Sequence, residues 1–167
     1  MDTADFPRLG FAESIERLSA MPEFLDAALV AAGPEDLLSR PGEEEFSLVE
    51  HACHLRDLER EGYLIRVRRM IAETNPELQP FDGTAVAAAR NYRSQDARAA
   101  AHDFARARRE VVALLAPLAP EQLRREARFG GERICLADLV AMMVEHDREH
   151  REEIERLMDA IEEYRWR

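Results

Sequence analysis

Apolar positions along this chain recur at three- and four-residue steps, the period of helices buried along one face. Leu9–Ser19 and Pro22–Ala32 read as two short helical stretches, stopped by Gly33 and Pro34 and followed by a turn-rich segment to about Pro41 and Gly42. Ser47, with Glu50 three residues later, carries a capping-box pattern and predicts a long helix to about Ala72 or Glu73. Asn75, Pro76, Pro80 and Gly83 then break it. Ser94 to about Leu115 predicts a second long, Ala/Arg-rich helix closed by Pro117 and Pro120, with a short helical turn at Glu121–Arg125. Gly130 and Gly131 mark a turn before the last helix, which runs from about Leu136 to Tyr164 with Asp138 in its first turn. No segment alternates β-branched and polar residues over a useful length, so no strand is expected.

Three long helices and an N-terminal helical region predict an all-α fold, a four-helix bundle with long connections, built as one domain over residues 1–167. The composition agrees: 46% hydrophobic and 34% charged residues with few Gly and Pro suit a folded, helix-rich chain. The longest apolar runs, such as LADLVAMMV, are too short for a membrane span. An acidic start, MDTADFPRLG, with no apolar run behind it predicts a cytoplasmic protein. Cys53 and Cys135, far apart and without CxxC spacing, fit a reducing compartment. A net charge of -11 argues against nucleic acid or an anionic membrane as the main partner. All 23 cationic residues are Arg, which excludes Schiff-base, pyridoxal-anchoring and phosphate-loop lysines.

The chemistry concentrates in VEHDREHREEI at residues 144–154. Leu136, Leu139, Val140, Met143, Ile154, Leu157, Met158 and Ile161 define one apolar stripe, with His150 inside it and His146 on its shoulder. Two imidazoles one turn apart on an inward face are either hydrogen-bonded core residues or a pair converging on one ion. A third ligand is offered by FSLVEHACHLRDLE at residues 46–59, where two histidines compete. Periodicity favours His51, flanked by Leu48, Leu55 and Leu58; His54, among Glu50, Asp57 and Glu61, reads as lying on a polar face.

These segments resemble the DinB-like (YfiT-like) four-helix-bundle superfamily, whose members carry Trp-Ser-x-x-Glu-x-x-x-His-Leu-x-Asp-x-Glu on the second helix and His-Asp-x-x-His on the last. Phe46, Ser47, Glu50, His54, Leu55, Asp57 and Glu59 match the first motif, with Phe in place of Trp, and His146, Asp147 and His150 match the second. The resemblance implies a divalent metal, Zn²⁺ or Ni²⁺, on His54, His146 and His150, with His51 as a backup ligand or a residue behind one. It also implies a homodimer acting on a small molecule.

Three neutral imidazoles with no anionic ligand leave an ion its full charge and an open position, the mark of a reactive site. The resemblance supplies the chemistry: transfer of a thiol of the bacillithiol or mycothiol type, as cosubstrate, to an electrophilic small molecule. A metal-dependent hydrolase with Asp147 or Glu50 as general acid or base is the alternative, and a non-catalytic metal-binding stress-response or interaction module is the reading from another class. Asp147 reads either as orienting a ligand imidazole or as an exposed partner of Arg151. The charged run REEIERLMDAIEEYR reads as a solvated face and His102 as a surface residue; Cys53 and Cys135 read as inert.

Overall fold

A computed structural model describes residues 10–167. Leu9, where the first expected helical stretch begins, lies outside the described residues. The two stretches expected around Pro22 form a single helix, α1, Phe11–Ala32. Leu18, Met21, Leu25, Ala28, Leu29 and Ala32 make one buried stripe across the proline, and that burial outweighs a missing hydrogen bond. The carbonyl that Pro22 cannot bond, that of Leu18, accepts from Arg108 Nη1 at 3.0 Å instead.

The long helix expected after Ser47 runs from Leu48 to Ala72 in three parts: α2, Leu48–Leu58; a π-helical stretch, Glu59–Tyr63; and α3, Leu64–Ala72. Its capping box is formed, since Ser47 N–H donates to Glu50 Oε2 at 2.8 Å and Ser47 Oγ accepts from Glu50 N–H at 3.4 Å. A further helix, α4, Gly83–Arg90, follows where the sequence read only as breakers; the Asp82 carboxylate caps it through Ala85 N–H. Helix α5, Ala97–Leu115, begins three residues later than expected, because Tyr92–Ser94 forms a 3₁₀ turn and Asp96 takes the cap position. The short helix α6, Pro120–Leu123, and the last helix, α7, Leu136–Arg165, lie close to their expected places.

The expectation of a strand-free chain is corrected by a small sheet. Strands β2, Glu126–Phe129, and β3, Glu132–Cys135, form a hairpin, and β1, Glu77–Leu78, pairs parallel to β2. Strands of two to four residues are too short to show alternation, so the pattern that finds half-buried strands has nothing to register. The turn is legible: Gly130 and Gly131 both have positive φ, as a two-residue hairpin turn requires. Leu78, Ala127 and Ile134 are buried beside Leu136 and Leu139, so the sheet closes one end of the bundle.

Helices α1, α2–α3, α5 and α7 form the four-helix bundle. One core cluster, around Leu25, Ala52, Phe104 and Ile154, fills one part; the other, around Leu18, Val67, Val111 and Met143, fills the sheet end. No described helix is long and apolar enough to cross a membrane.

Candidate metal centre

Ten of the eleven residues of α2 are buried, so this helix has no solvated face. Helices α5 and α7 pack on it from within the bundle and α4 covers it from outside. The expectation of a polar face at His54 therefore fails: His54 and His51 are both buried, at 8% and 2% exposure. The acidic neighbours that suggested water are paired within the protein. Asp57 accepts from the Tyr92 hydroxyl at 2.8 Å and from Arg56 Nε at 2.7 Å, and Glu61 pairs with Arg90. Gly83, the first residue of α4, lets the loop approach: a Cβ there would sit 2.8 Å from His54 Cε1 and 3.1 Å from its Nδ1. Phe46 and Phe81 lie against the same ring, with centroids 5.5 and 6.5 Å away.

The fold brings His54, His146 and His150 together. His146 Nε2 lies 3.4 Å from His54 Nε2 and 3.0 Å from His150 Nε2. A neutral imidazole nitrogen has either one proton or one in-plane lone pair, so three converging nitrogens cannot all satisfy one another by hydrogen bonds. A cation facing all three lone pairs can. His54 Nδ1 is buried with no hydrogen-bond partner among the described residues. The three nitrogens fit a divalent ion in donor type, and His51, His150 and Glu153 form a second group of potential ligands that shares His150.

Burial, followed by the His150 charge, pushes His54 down to about 4, His146 to about 2 and His51 to about 3. These three imidazoles are therefore neutral at pH 7, the protonation state a metal ligand needs. His150 is anchored from behind by Glu153, whose Oε2 lies 3.0 Å from His150 Nδ1. With that carboxylate as acceptor, His150 carries its proton on Nδ1 and presents the Nε2 lone pair to the cluster. His51 lies on the same side, its Nδ1 3.1 Å from His150 Nδ1, and so stands behind a ligand of the first group.

Sequence reasoning gave the orienting role to Asp147 and missed Glu153, which it placed on a solvated face. Glu153 is half-buried, and its spacing of three from His150 was the available signal. Asp147 neither bonds a histidine nor meets Arg151. It is buried, and both its oxygens accept from Arg108, at 2.5 and 3.0 Å. Arg108 also donates to both oxygens of Glu59, at 2.7 and 2.9 Å. The other candidate acid, Glu50, is held by Ser47 and Arg40; burial alone would push its carboxyl up, but these donors bring it down to about 2.

His102 is exposed, as expected, and takes no part. Cys53 is buried with its Sγ 3.6 Å from Gln95 Oε1, and burial pushes its thiol up to about 11. Cys135, at the start of α7, is also raised, by burial and by Asp138, so the helix end does not activate it.

A nearly full-length structural likeness is to YfiT from Bacillus subtilis, described as a probable metal-dependent hydrolase with an unusual four-helix bundle topology. The TM-score is 0.85 over 96% of this chain and 93% of that one, at 20% identity, a likeness of fold. No curated protein matches the chain. The DinB superfamily model matches residues 17–154, a span that holds α2, α3 and α5 whole, most of α1 and α7, and all three converging histidines. By that match, and with the fold and motif residues in agreement, the chain belongs to the DinB superfamily.

Proposed function

We propose that His54, His146 and His150 bind a divalent metal ion, and that the protein uses it to transfer a low-molecular-weight thiol to an electrophilic small molecule. The observation that carries this reading is the convergence of three histidine nitrogens, two neighbouring pairs at 3.0 and 3.4 Å, in a buried site. An ion such as Zn²⁺ or Ni²⁺ held by imidazoles alone supplies Lewis acidity that lowers the pKa of a thiol or water toward neutrality. The surrounding residues supply orientation and dryness: Glu153 fixes the His150 ring, and Phe46, Tyr63 and Phe81 wall the imidazoles from water.

A thiol is favoured over water because a thiolate attacks without a further base, whereas hydrolysis calls for one. The carboxylates expected in that role, Asp147 and Glu50, are held by Arg108 and by the α2 cap. The chain's own thiols are no substitute, since both are raised away from the thiolate form, so the attacking sulfur belongs to a cosubstrate. The likeness to YfiT favours a second reading, metal-dependent hydrolysis.

Metal-loaded protein should accelerate conjugation of bacillithiol or mycothiol to monochlorobimane, and chelation should remove the effect. His54→Ala, His146→Ala or His150→Ala should do the same, while Cys53→Ala and Cys135→Ala keep the rate. Metal-dependent ester or amide cleavage without conjugation would replace the transferase with the hydrolase. No turnover of either kind would leave a metal-binding module.

A further inference from the structure

Among the described residues the histidine cluster continues on the far side of His150. His146 meets His150 at Nε2, 3.0 Å away. The opposite nitrogen of the same ring, Nδ1, has two other close neighbours: His51 Nδ1 at 3.1 Å and Glu153 Oε2 at 3.0 Å. The triangle closes with 3.9 Å between His51 Nδ1 and Glu153 Oε2. His150 therefore presents one nitrogen to each of two ligand groups.

Hydrogen bonds alone do not satisfy the outer group. His150 Nδ1 carries either one proton or one in-plane lone pair, and it faces two partners. While its proton goes to Glu153, the His51 nitrogen beside it must share that proton or oppose it with one of its own. A cation set between the three takes lone pairs from both nitrogens and the carboxylate at once. With bonds of ~2.0–2.2 Å, tetrahedral ligands of zinc stand roughly 3.3–3.6 Å apart, and the three separations here, from 3.0 to 3.9 Å, bracket that edge. Two imidazoles and a glutamate are also a donor set that zinc accepts with a further position left open.

We propose that His51 Nδ1, His150 Nδ1 and Glu153 Oε2 form a second divalent-cation site, bridged to the first through the His150 ring. The bridge rests on the reading of His54, His146 and His150 as the first site. As the second ion enters, the Nδ1 proton leaves to solvent and His150 becomes an imidazolate held at both nitrogens. The first ion binds with the hydrogen bond from His150 to Glu153 intact, the second only by breaking it, so the outer site is the weaker of the two. Glu153 is half-buried, and the outer ion arrives from its solvent side. Ions on the two nitrogens of one imidazole lie roughly 6 Å apart at such bond lengths, farther than the ~3.5–4 Å of a two-metal clamp on one substrate. The outer ion thus acts on the inner one through the ring, since an anionic His150 donates more charge and lowers the inner ion's Lewis acidity.

A strong chelator withdraws the weaker ion, so the test is equilibrium dialysis against excess free Zn²⁺, with bound zinc counted per chain by elemental analysis. Wild-type protein should hold two ions. His54→Ala and His51→Ala should each hold one and His150→Ala none, the pattern that a shared ring produces. Glu153→Gln should also hold one and, at a half-buried position, carries the test should His51→Ala fail to fold by circular dichroism. Glu152→Gln, paired with Arg148, should hold two. A single ion in the wild type overturns the second site, and its loss in His54→Ala but not in His51→Ala leaves the first standing. A second ion that survives both His51→Ala and Glu153→Gln is held elsewhere on the acidic surface and overturns the site as well. An ion retained by His150→Ala overturns the bridge, and wild-type protein without zinc overturns the first site together with the second.

Discussion

Arg108 Nη1 donates to the backbone carbonyl of Leu18 at 3.0 Å, the carbonyl that Pro22 leaves without a helical partner. The same guanidinium binds Glu59 at the start of the π-helical stretch and Asp147 beside His146. One side chain thereby ties α1, the second bundle helix, α5 and α7 together at the level of the site. It also explains how α1 keeps a proline in its interior: the orphaned acceptor faces a buried donor rather than an empty core.

Arg108→Met should therefore destabilise the protein by about 3–5 kcal/mol, because it strands two buried carboxylates and a carbonyl at once. Arg108→Lys should recover little, since one ammonium cannot reproduce the planar fork. Urea denaturation checks both. A loss below about 1 kcal/mol for Arg108→Met would mean the network adds little to stability.

Glu153→Gln should weaken metal affinity by about 10- to 100-fold, by loosening the His150 ring and its tautomer. Glu152→Gln, one residue away and paired with Arg148, should leave affinity unchanged. Competition against a chromophoric chelator measures both. In the same assay His54→Ala should abolish stoichiometric binding and His51→Ala only weaken it; the reverse order would put the ion among His51, His150 and Glu153.

Gly83→Ala places a methyl group 2.8 Å from His54 Cε1, closer than van der Waals contact permits. Either the ring or the start of α4 must move. Metal affinity should fall, by about tenfold or more if the ring gives way, while helix content by circular dichroism stays unchanged. Unchanged affinity would show that α4 yields and His54 does not.

The pH dependence of metal-free protein has a definite sign. Unfolded imidazoles titrate near 6.5, roughly, whereas burial and the His150 charge hold His51 at about 3, His54 at about 4 and His146 at about 2. The unfolded chain then binds more protons below its own pKa, so stability is fullest above about 6.5 and declines as pH falls toward the folded values. About 1–2 kcal/mol per imidazole should be lost between pH 7 and pH 5, read from urea midpoints of chelated protein. A flat profile would mean that the folded imidazoles take up protons as readily as the unfolded ones.

Much of the fold was legible because its signals are local. Ser47 and Glu50 bond each other three residues apart, Gly130 and Gly131 adopt the backbone their turn demands, and the stripe from Leu136 to Ile161 directs α7 inward whatever it packs against. The same local logic put His146 and His150 on one face. The match to a family motif singled out His54, whose Nε2 lies 3.4 Å from His146 Nε2, where periodicity had favoured His51.

What tertiary structure decided was which groups meet. Periodicity assumes a helix with a wet side, and it misplaced His54 because α4 and the Phe46 and Phe81 rings cover what would have been that side. Asp147 was read as orienting an imidazole or pairing with Arg151 because its actual partner, Arg108, is 39 residues away on another helix. Glu153 looked solvated because its link to His150 matters only once His51 and His54 arrive from α2. Helix starts, turns and inward faces follow from steric and hydrogen-bonding preferences of neighbouring residues, which the sequence by itself determines. Charge pairing, burial of polar groups and convergence of ligand atoms depend on long-range packing, and only the assembled bundle decides them.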